Sequence, residues 1–321
     1  MKAAIATGLS LLATASAGEE LTVYAPDYFA SEWGPGPAIE QAFEAATGHD
    51  LTYVTGDLLP RLLLEGARTE ADVVIGLDTD IAERARATGL FAPHGVDTSA
   101  LTLPVEWTDE TFLPFNWSHL AFVYDTDRLA EPPASFADLI ANDGPSLVVQ
   151  DPRTSVSGLA TALWIHEVFG AEAEDVWRGL RDDIVTVTSG WSEAYGMFTE
   201  GEADMVLSFT TSPAYHLIAE DDDTVKAAIF PEGHYVLVET AGLVADTDSP
   251  EAARAFMDFV LTPAFQEVIP TGNWSFPAAQ AGDLPEGFET LDMPDRVIHL
   301  TSPEAEAARD AAVAAFEAGL R

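Results

Sequence analysis

Between residues 20 and 90 the chain switches hydrophobic period again and again over short joins, and few folds accommodate that. "ELTVYAP" (20–26) alternates apolar residues as a half-buried strand does, and it stops at Pro26. "GPAIEQAFEAATG" (36–48) has helical spacing, with Pro37 near its start and Gly48 just past its end. "LTYVTGD" (51–57) reads as a second strand, "LPRLLLEGART" (59–69) as a helix, "ADVVIGLD" (71–78) as a strand apolar on both faces, and "DIAERARATGL" (80–90) as a helix. Strand–helix–strand repetition with short joins predicts a parallel sheet covered by helices.

From "LAFVYDTDRL" (120–129) the same style resumes with new elements. Helices are expected in "SFADLIAND", "GLATALWIHEVFG" and "WSEAYGMFTEGE", and strands in "SLVVQDP", "DIVTVTSG" and "ADMVLSF". After "HYVLVETAGLVAD" come a helical segment (250–261) and a C-terminal Ala/Glu helix (303–319). No fixed repeat recurs, so the pattern predicts two α/β lobes rather than an array. The expected division is 18–117 with 242–321 in the first lobe and 118–241 in the second, leaving 1–17 apart.

Those first residues read as a signal peptide. Met1 and Lys2 precede an apolar run too short to span a bilayer, and Ala15-Ser16-Ala17 offers a small-x-small cleavage site. Export to the periplasm is therefore expected. The chain has no cysteine, so an exported form is held by its core and carries no thiolate nucleophile or thiolate metal site. With 54 acidic against 14 basic residues the net charge is −40, which repels nucleic acid and anionic membranes and attracts cations. The same excess suits a salty medium.

In open parallel sheets, ligands sit beyond the carboxyl ends of the strands. The expected ends are Ala25–Asp27, Thr55–Asp57, Leu77–Asp78, Gln150–Thr154, Ser189–Trp191 and Phe209–Ser212. At the last of them Thr210, Thr211 and Ser212 follow Phe209, and Tyr215 comes after Pro213. In "QDPRTSVSG" (150–158), Ser155 or Ser157 is expected to cap the following helix, whose N-terminus can also hold an anion. Trp191, Trp274 and Trp33 stand in loops or at element ends, where each alone would be a packing wedge. Together with Tyr215 and Phe209 they suggest an aromatic cleft, suited to cations and flat rings. Asp27, Asp57 and Asp78 are acids at the same ends, helix caps by default. The seven histidines are scattered singly without zinc-ligand spacing, and His216 reads as a surface or capping residue. Nucleotide-binding and hydrolase motifs are missing, and no nucleophile–base pair is evident.

Taken in order, "DYFASEWGPGP", "ADVVIGLD", "LAFVYDTDRL", "QDPRTS", "GWSEAYGMF", "LSFTTSPAYH", "EGHY" and "IPTGNW" resemble the thiamine-binding periplasmic proteins of bacterial ABC importers, from about residue 21 to 277. The resemblance implies a bilobal type II periplasmic binding protein fold, with a hinge between two α/β lobes of mainly parallel sheet. It implies a monomer that binds thiamine or its mono- or diphosphate, needs no cofactor, catalyses nothing, and delivers its cargo to a membrane permease and its ATPase. It places Trp191 and Tyr215 as ring-stacking residues, with Phe209, Thr210, Thr211 and Ser212 lining the pocket. Ser155 and Val156 would meet the hydroxyethyl or phosphate end, Trp274 and Trp33 would add walls, and Asp27 and Asp78 would stand near the cleft.

The chain departs from the family at Phe209 and Pro26, where tyrosines are usual, and the segment holding Gly56 and Asp57 is a few residues shorter. Two lost phenols would cost about 1 kcal/mol per lost hydrogen bond, or would mark a shifted cargo. Two rival readings keep the architecture. A ferric carrier would need clustered tyrosinates, which Tyr195 and Tyr215 alone supply poorly, and thiamine-degrading enzymes of this shape use a cysteine that this chain lacks.

Overall fold

The computed structural model describes residues 18–321 apart from 142, 143 and 281, so the expected signal peptide lies outside the described residues. Its strands are β1 (Glu20–Ala25), β2 (Asp50–Thr55), β3 (Val73–Asp78), β4 (Phe91–Ala92), β5 (Phe112–Asp125) and β6 (Leu147–Gln150). They continue with β7 (Ile184–Thr188), β8 (Met205–Phe209), β9 (Val225–Ala228), β10 (His234–Val244), β11 (Phe276–Pro277) and β12 (Val297–Ile298).

Hydrogen bonding runs in the order β2-β1-β3-β10-β5-β8-β6-β7. The outer strands of each half are parallel, β1 with β2 and β3, and β6 with β7 and β8. This is the arrangement that the alternating helices predict. The two long central strands run against their neighbours: β10 is antiparallel to β3 and β5, and β5 is antiparallel to β8. The first half of β5 pairs with β10, and from Leu120 onward it pairs with β8 and β9. One strand thus serves both halves, and the expected lobe limits at 117/118 and 241/242 fall inside β5 and β10. β5 begins eight residues before the expected start at 120, and the added stretch includes the polar Asn116, Ser118 and His119. All three are buried.

Register places the two sets of strand ends. Asp78 at the end of β3 lies opposite Glu239, and Glu239 lies opposite Asn116. Phe209 at the end of β8 lies opposite Leu120. Leu120 follows Asn116 by four residue steps along β5, about 13 Å at strand rise. The carboxyl ends of β3 and β8 therefore point toward each other along β5.

Each half has its own core. One gathers Phe29, Phe43, Phe115, Phe256 and Phe265, and the other gathers Phe122, Phe136, Trp164, Trp177 and Phe230. Trp164 meets Phe136 edge-on at 4.8 Å and donates its indole N–H to the Gly233 carbonyl at 2.9 Å. The helix expected at "SFADLIAND" is one turn, Phe136–Leu139. The helix Ser302–Gly319, expected with the first lobe, instead packs on the helices Val156–Phe169 and Ala173–Leu180 of the second and on Thr79–Arg86 of the first. Its Ala305, Ala312 and Phe316 need an apolar partner, and Phe316 finds the Trp177 ring edge-on at 4.9 Å.

The end of β1 is pinned by a close approach. Gly76 has φ +94, and a β-carbon there would lie 2.5 Å from Cγ of Pro26. Pro26 in turn caps the helix Asp27–Ala30. Gly76→Ala is expected to destabilise the fold by at least ~1–3 kcal/mol through left-handed strain and overlap. Urea unfolding followed by fluorescence measures this as a lower midpoint with unchanged slope.

Candidate functional site

Three strand ends of the second half converge on Trp191. It opens the helix Trp191–Thr199, and extended Gly190 before it lets β7 turn directly into that helix. The indole lies flat on Tyr195 (centroids 4.8 Å, 24° between planes), and its N–H donates to Ser208 Oγ at 2.9 Å. Ser208 Oγ shares a hydrogen bond with Ser212 Oγ at 2.8 Å, and Ser212 Oγ accepts the Phe209 amide at 3.3 Å. Thr211 Oγ1 bonds Ser118 Oγ at 2.9 Å, tying the end of β8 to β5. Thr210 donates its amide to the His119 carbonyl at 2.9 Å, while its buried hydroxyl has no partner among the described residues. Thr210, Thr211 and Ser212 are thus buried, the last two with hydroxyls held by protein groups, and Phe209 is half-buried.

Beside them stands the N-terminus of Val156–Phe169. Ser155 is its cap, accepting the Gly158 amide at 3.3 Å and joining Ser157 Oγ at 3.1 Å. Ser157 donates to Gln150 Oε1, and Gln150 Nε2 donates to the Leu207 carbonyl. This chain runs from the cap into the sheet. Thr154 Oγ1 donates to the Ser189 carbonyl at 2.9 Å, which joins the β6 and β7 ends. Val156, first in the helix, remains 39% exposed, so the helix end opens to solvent.

In the first half, Tyr28, Asn116 and Asn273 all donate to the Glu239 carboxylate, the last two at 2.7 and 3.0 Å. Asn273 precedes Trp274, whose backbone sits at φ +50. The Trp274 ring meets Tyr215 of the second half edge-on at 5.2 Å. Tyr28 and Glu239 keep partial exposure, so this network has an open edge. Sequence reading passed over both. The signal was there: Glu239 is the acid inside the apolar run of "HYVLVETAGLV".

The other expected residues occupy distinct settings. Gly56, at φ +140, donates its amide to the Ala25 carbonyl at 3.3 Å and draws the ends of β2 and β1 together. Asp27 and Asp57 are exposed, and neither carboxylate has a protein partner among the described residues. Asp78 is buried and caps Thr79–Arg86 by accepting the Asp80 amide at 2.7 Å. Trp33 is 64% exposed in the bend before the helix Gly36–Thr47. His216, expected as a surface or capping residue, is the C-cap of the turn Ser212–Tyr215 and is buried, with Tyr195 and Glu220 at its two ring nitrogens. Two surface depressions flank β9, one lined by Pro213, Leu217 and Lys226 and the other by Tyr124, Pro132 and Met293; neither includes the convergent rings.

Buried acids meet under the first half's strand ends. Burial, then the neighbouring Asp80, holds Asp78 well above the ordinary carboxylate range. Burial pushes Asp80 up to about 7 although Tyr235 donates to it at 2.5 Å. Crowding by protein likewise raises Glu239, opposed by its three donors. His119 goes the other way, lowered to about 4 by burial and then by His234.

A two-lobed α/β protein whose strand ends face each other along two shared strands, with aromatic rings and a serine-capped helix beside them, has the build of a solute-binding protein. The chain belongs to the family described as bacterial extracellular solute-binding protein, whose profile matches residues 30–267. Within it the chain belongs with the thiamine-binding periplasmic proteins. It is 46% identical over 316 residues to the thiamine-binding periplasmic protein of Escherichia coli (strain K12), covering 96% of each. It is 43% identical to that of Brucella abortus biovar 1 (strain 9-941), covering 90% of this chain and 89% of the relative. A solved periplasmic thiamin binding protein superposes with a TM-score of 0.91 at 45% identity, over 95% of this chain and 97% of that one. Iron-bound HitA from Pseudomonas aeruginosa, at TM-score 0.74 and 22% identity over 94% and 99%, shares the fold. The close relatives are periplasmic binding proteins, not enzymes.

Asp80 gives a testable pH dependence. Its folded-state pKa lies above the ordinary value of 3.8, so its contribution to stability is complete below about 4 and is lost as pH rises through about 7. Asp80→Asn keeps an acceptor for Tyr235 and removes the ionisation. The variant is expected to gain on the wild type as pH rises from 5 to 8, read as diverging thermal midpoints.

Proposed function

We propose that this protein binds thiamine or its mono- or diphosphate between the lobes and delivers it to an ABC permease. The observation that carries the reading is the Trp191 indole, fixed by its bond to Ser208 and its stack on Tyr195, with Tyr215 and Trp274 meeting nearby. A thiazolium cation is attracted to such ring faces, worth about 0.5–2 kcal/mol per well-placed contact. Asp27 and Asp57, exposed at strand ends, favour the same cation at longer range. Ser155 and the first-turn amides at Val156 suit a hydroxyl or a phosphate, which a helix N-terminus favours. Phe209 offers no phenol, so polar recognition falls to hydroxyls and amides.

Binding requires no chemistry. The halves are joined through β5 and β10, and a ligand touching both stabilises the closed arrangement over the open one. The relatives named for thiamine favour this cargo over ferric ion, since the solved structure named for bound iron shares the fold at 22% identity.

Calorimetric titration of the mature protein with the three thiamine forms is expected to give one site per chain and submicromolar affinity for at least one form. Trp191→Ala is expected to weaken that binding by roughly 3- to 30-fold, the equivalent of one cation–π contact. Ser155→Ala is expected to lower the phosphate forms more than thiamine. No heat with all three forms, together with unmoved tryptophan fluorescence, would redirect the protein to another cargo. Overnight incubation is expected to leave thiamine intact by mass spectrometry.

The net charge of −40 makes a separate prediction. If the field steers a cationic ligand, the thiamine association rate should fall steeply between low and high salt. A flat rate would assign the charge to habitat instead.

A further inference from the structure

Glu220 lies outside the set of side chains proposed to touch ligand, yet its one carboxylate reaches both aromatic walls of the second lobe. Oε1 accepts the Tyr215 hydroxyl at 3.0 Å, and Oε2 pairs with His216 Nδ1 at 2.7 Å. His216 Nε2 meets the Tyr195 hydroxyl at 2.9 Å. With Nδ1–H donated to Glu220, a neutral imidazole accepts the Tyr195 O–H at Nε2. Tyr195 carries Trp191 stacked on its face at 4.8 Å. One path leads directly to Tyr215, and the other runs through His216 and Tyr195 to Trp191.

The backbone explains the reach. His216–Glu220 is a π-turn, in which the Asp221 amide donates to the His216 carbonyl, and Asp221 ends it at φ +56. Such widened turns are uncommon and concentrate at functional sites. Five-residue spacing brings Glu220 below Tyr215 while four-residue spacing brings it below His216. An ordinary helix would favour only the second contact.

We propose that Glu220 and His216 are positioning residues that set the angle between the Trp191 and Tyr215 rings, so that a flat cationic ligand meets walls already in place. This rests on the reading of those rings as the ligand's stacking partners. The pair joins a Glu220 side chain that is 44% exposed to a His216 side chain that is 5% exposed, so losing the carboxylate would leave a buried imidazole nitrogen without its partner. The value of the pair lies in ordering ring side chains before binding, which removes a cost otherwise charged to affinity.

The test uses mature protein carrying 13C-labelled tyrosine rings and 15N-labelled tryptophan, comparing wild type, Glu220→Ala and Glu220→Gln. In the ligand-free state, Glu220→Ala is expected to move the Tyr215 and Tyr195 ring signals and the Trp191 indole N–H signal. Its thermal midpoint should fall by several degrees at most, and that of Glu220→Gln, which keeps an acceptor for His216, by less. Thiamine affinity should fall about tenfold, mainly through faster dissociation. Glu220→Gln keeps an acceptor for Tyr215 and should recover part of the loss. Unmoved ring signals overturn the proposal, as does affinity within about twofold of a wild type that binds. A wild type that binds no thiamine fails the cargo reading instead, and the ligand-free ring signals still decide the role of Glu220.

Discussion

The antiparallel pairing of β5 with β10 is the constraint on which the molecule depends. Each strand is long enough to leave one half and enter the other, and their mutual register runs from His119 opposite Val236 to Phe112 opposite Gly242. A slip by one residue would turn every side chain to the opposite face. Asn116 would lose Glu239, and Ser118 would lose Thr211. The Ser118–Thr211 bond ties β5 to the segment that carries Tyr215, and Asn273, donating to Glu239, ties β10 to the loop that carries Trp274. The distance between the two sets of strand ends, and hence the size of ligand admitted, is set by how many residues of β5 lie between its two partners.

Polar groups inside such strands carry a desolvation cost that specific partners offset. Thr240 donates to the Leu77 carbonyl at 3.0 Å, and His234 bonds the Leu120 carbonyl at 2.6 Å while accepting the Phe230 amide. Glu239 receives three donors from three separate segments. The acids here differ in kind from those on the surface. Asp78, Asp80 and Glu239 are raised by their surroundings, whereas Asp27 and Asp57 stand in solvent at the strand ends.

Much of the architecture was legible because its signals are local. Alternating periods located β1–β3, β6–β8 and their helices to within a few residues, and serine before an apolar run identified the Ser155 cap. Position at or beside a strand end drew attention to Trp191 and Tyr215, and a Pro/Gly-bounded loop drew it to Trp274. Less legible were the residues whose role depends on distant contacts. Glu239 and Tyr28 are 211 positions apart and acquire meaning only once β10, across β3 from β1, comes within reach of the turn that follows β1. His216 looks like a surface residue by type and neighbours, and it is buried because Tyr195 and Glu220 bracket it.

The sequence by itself determined the class of fold, the absence of thiol chemistry, the acidic field and the chemical character of the strand ends. These follow from composition and from periods read over a few residues. Only tertiary structure decided that β5 and β10 are shared, that the C-terminal helix packs across to the second lobe, and that hydroxyls at 210–212 are buried. The physical reason is range. Propensity and capping act within a turn or two, while register, burial and the meeting of rings such as Tyr215 and Trp274 arise between segments that the chain keeps far apart.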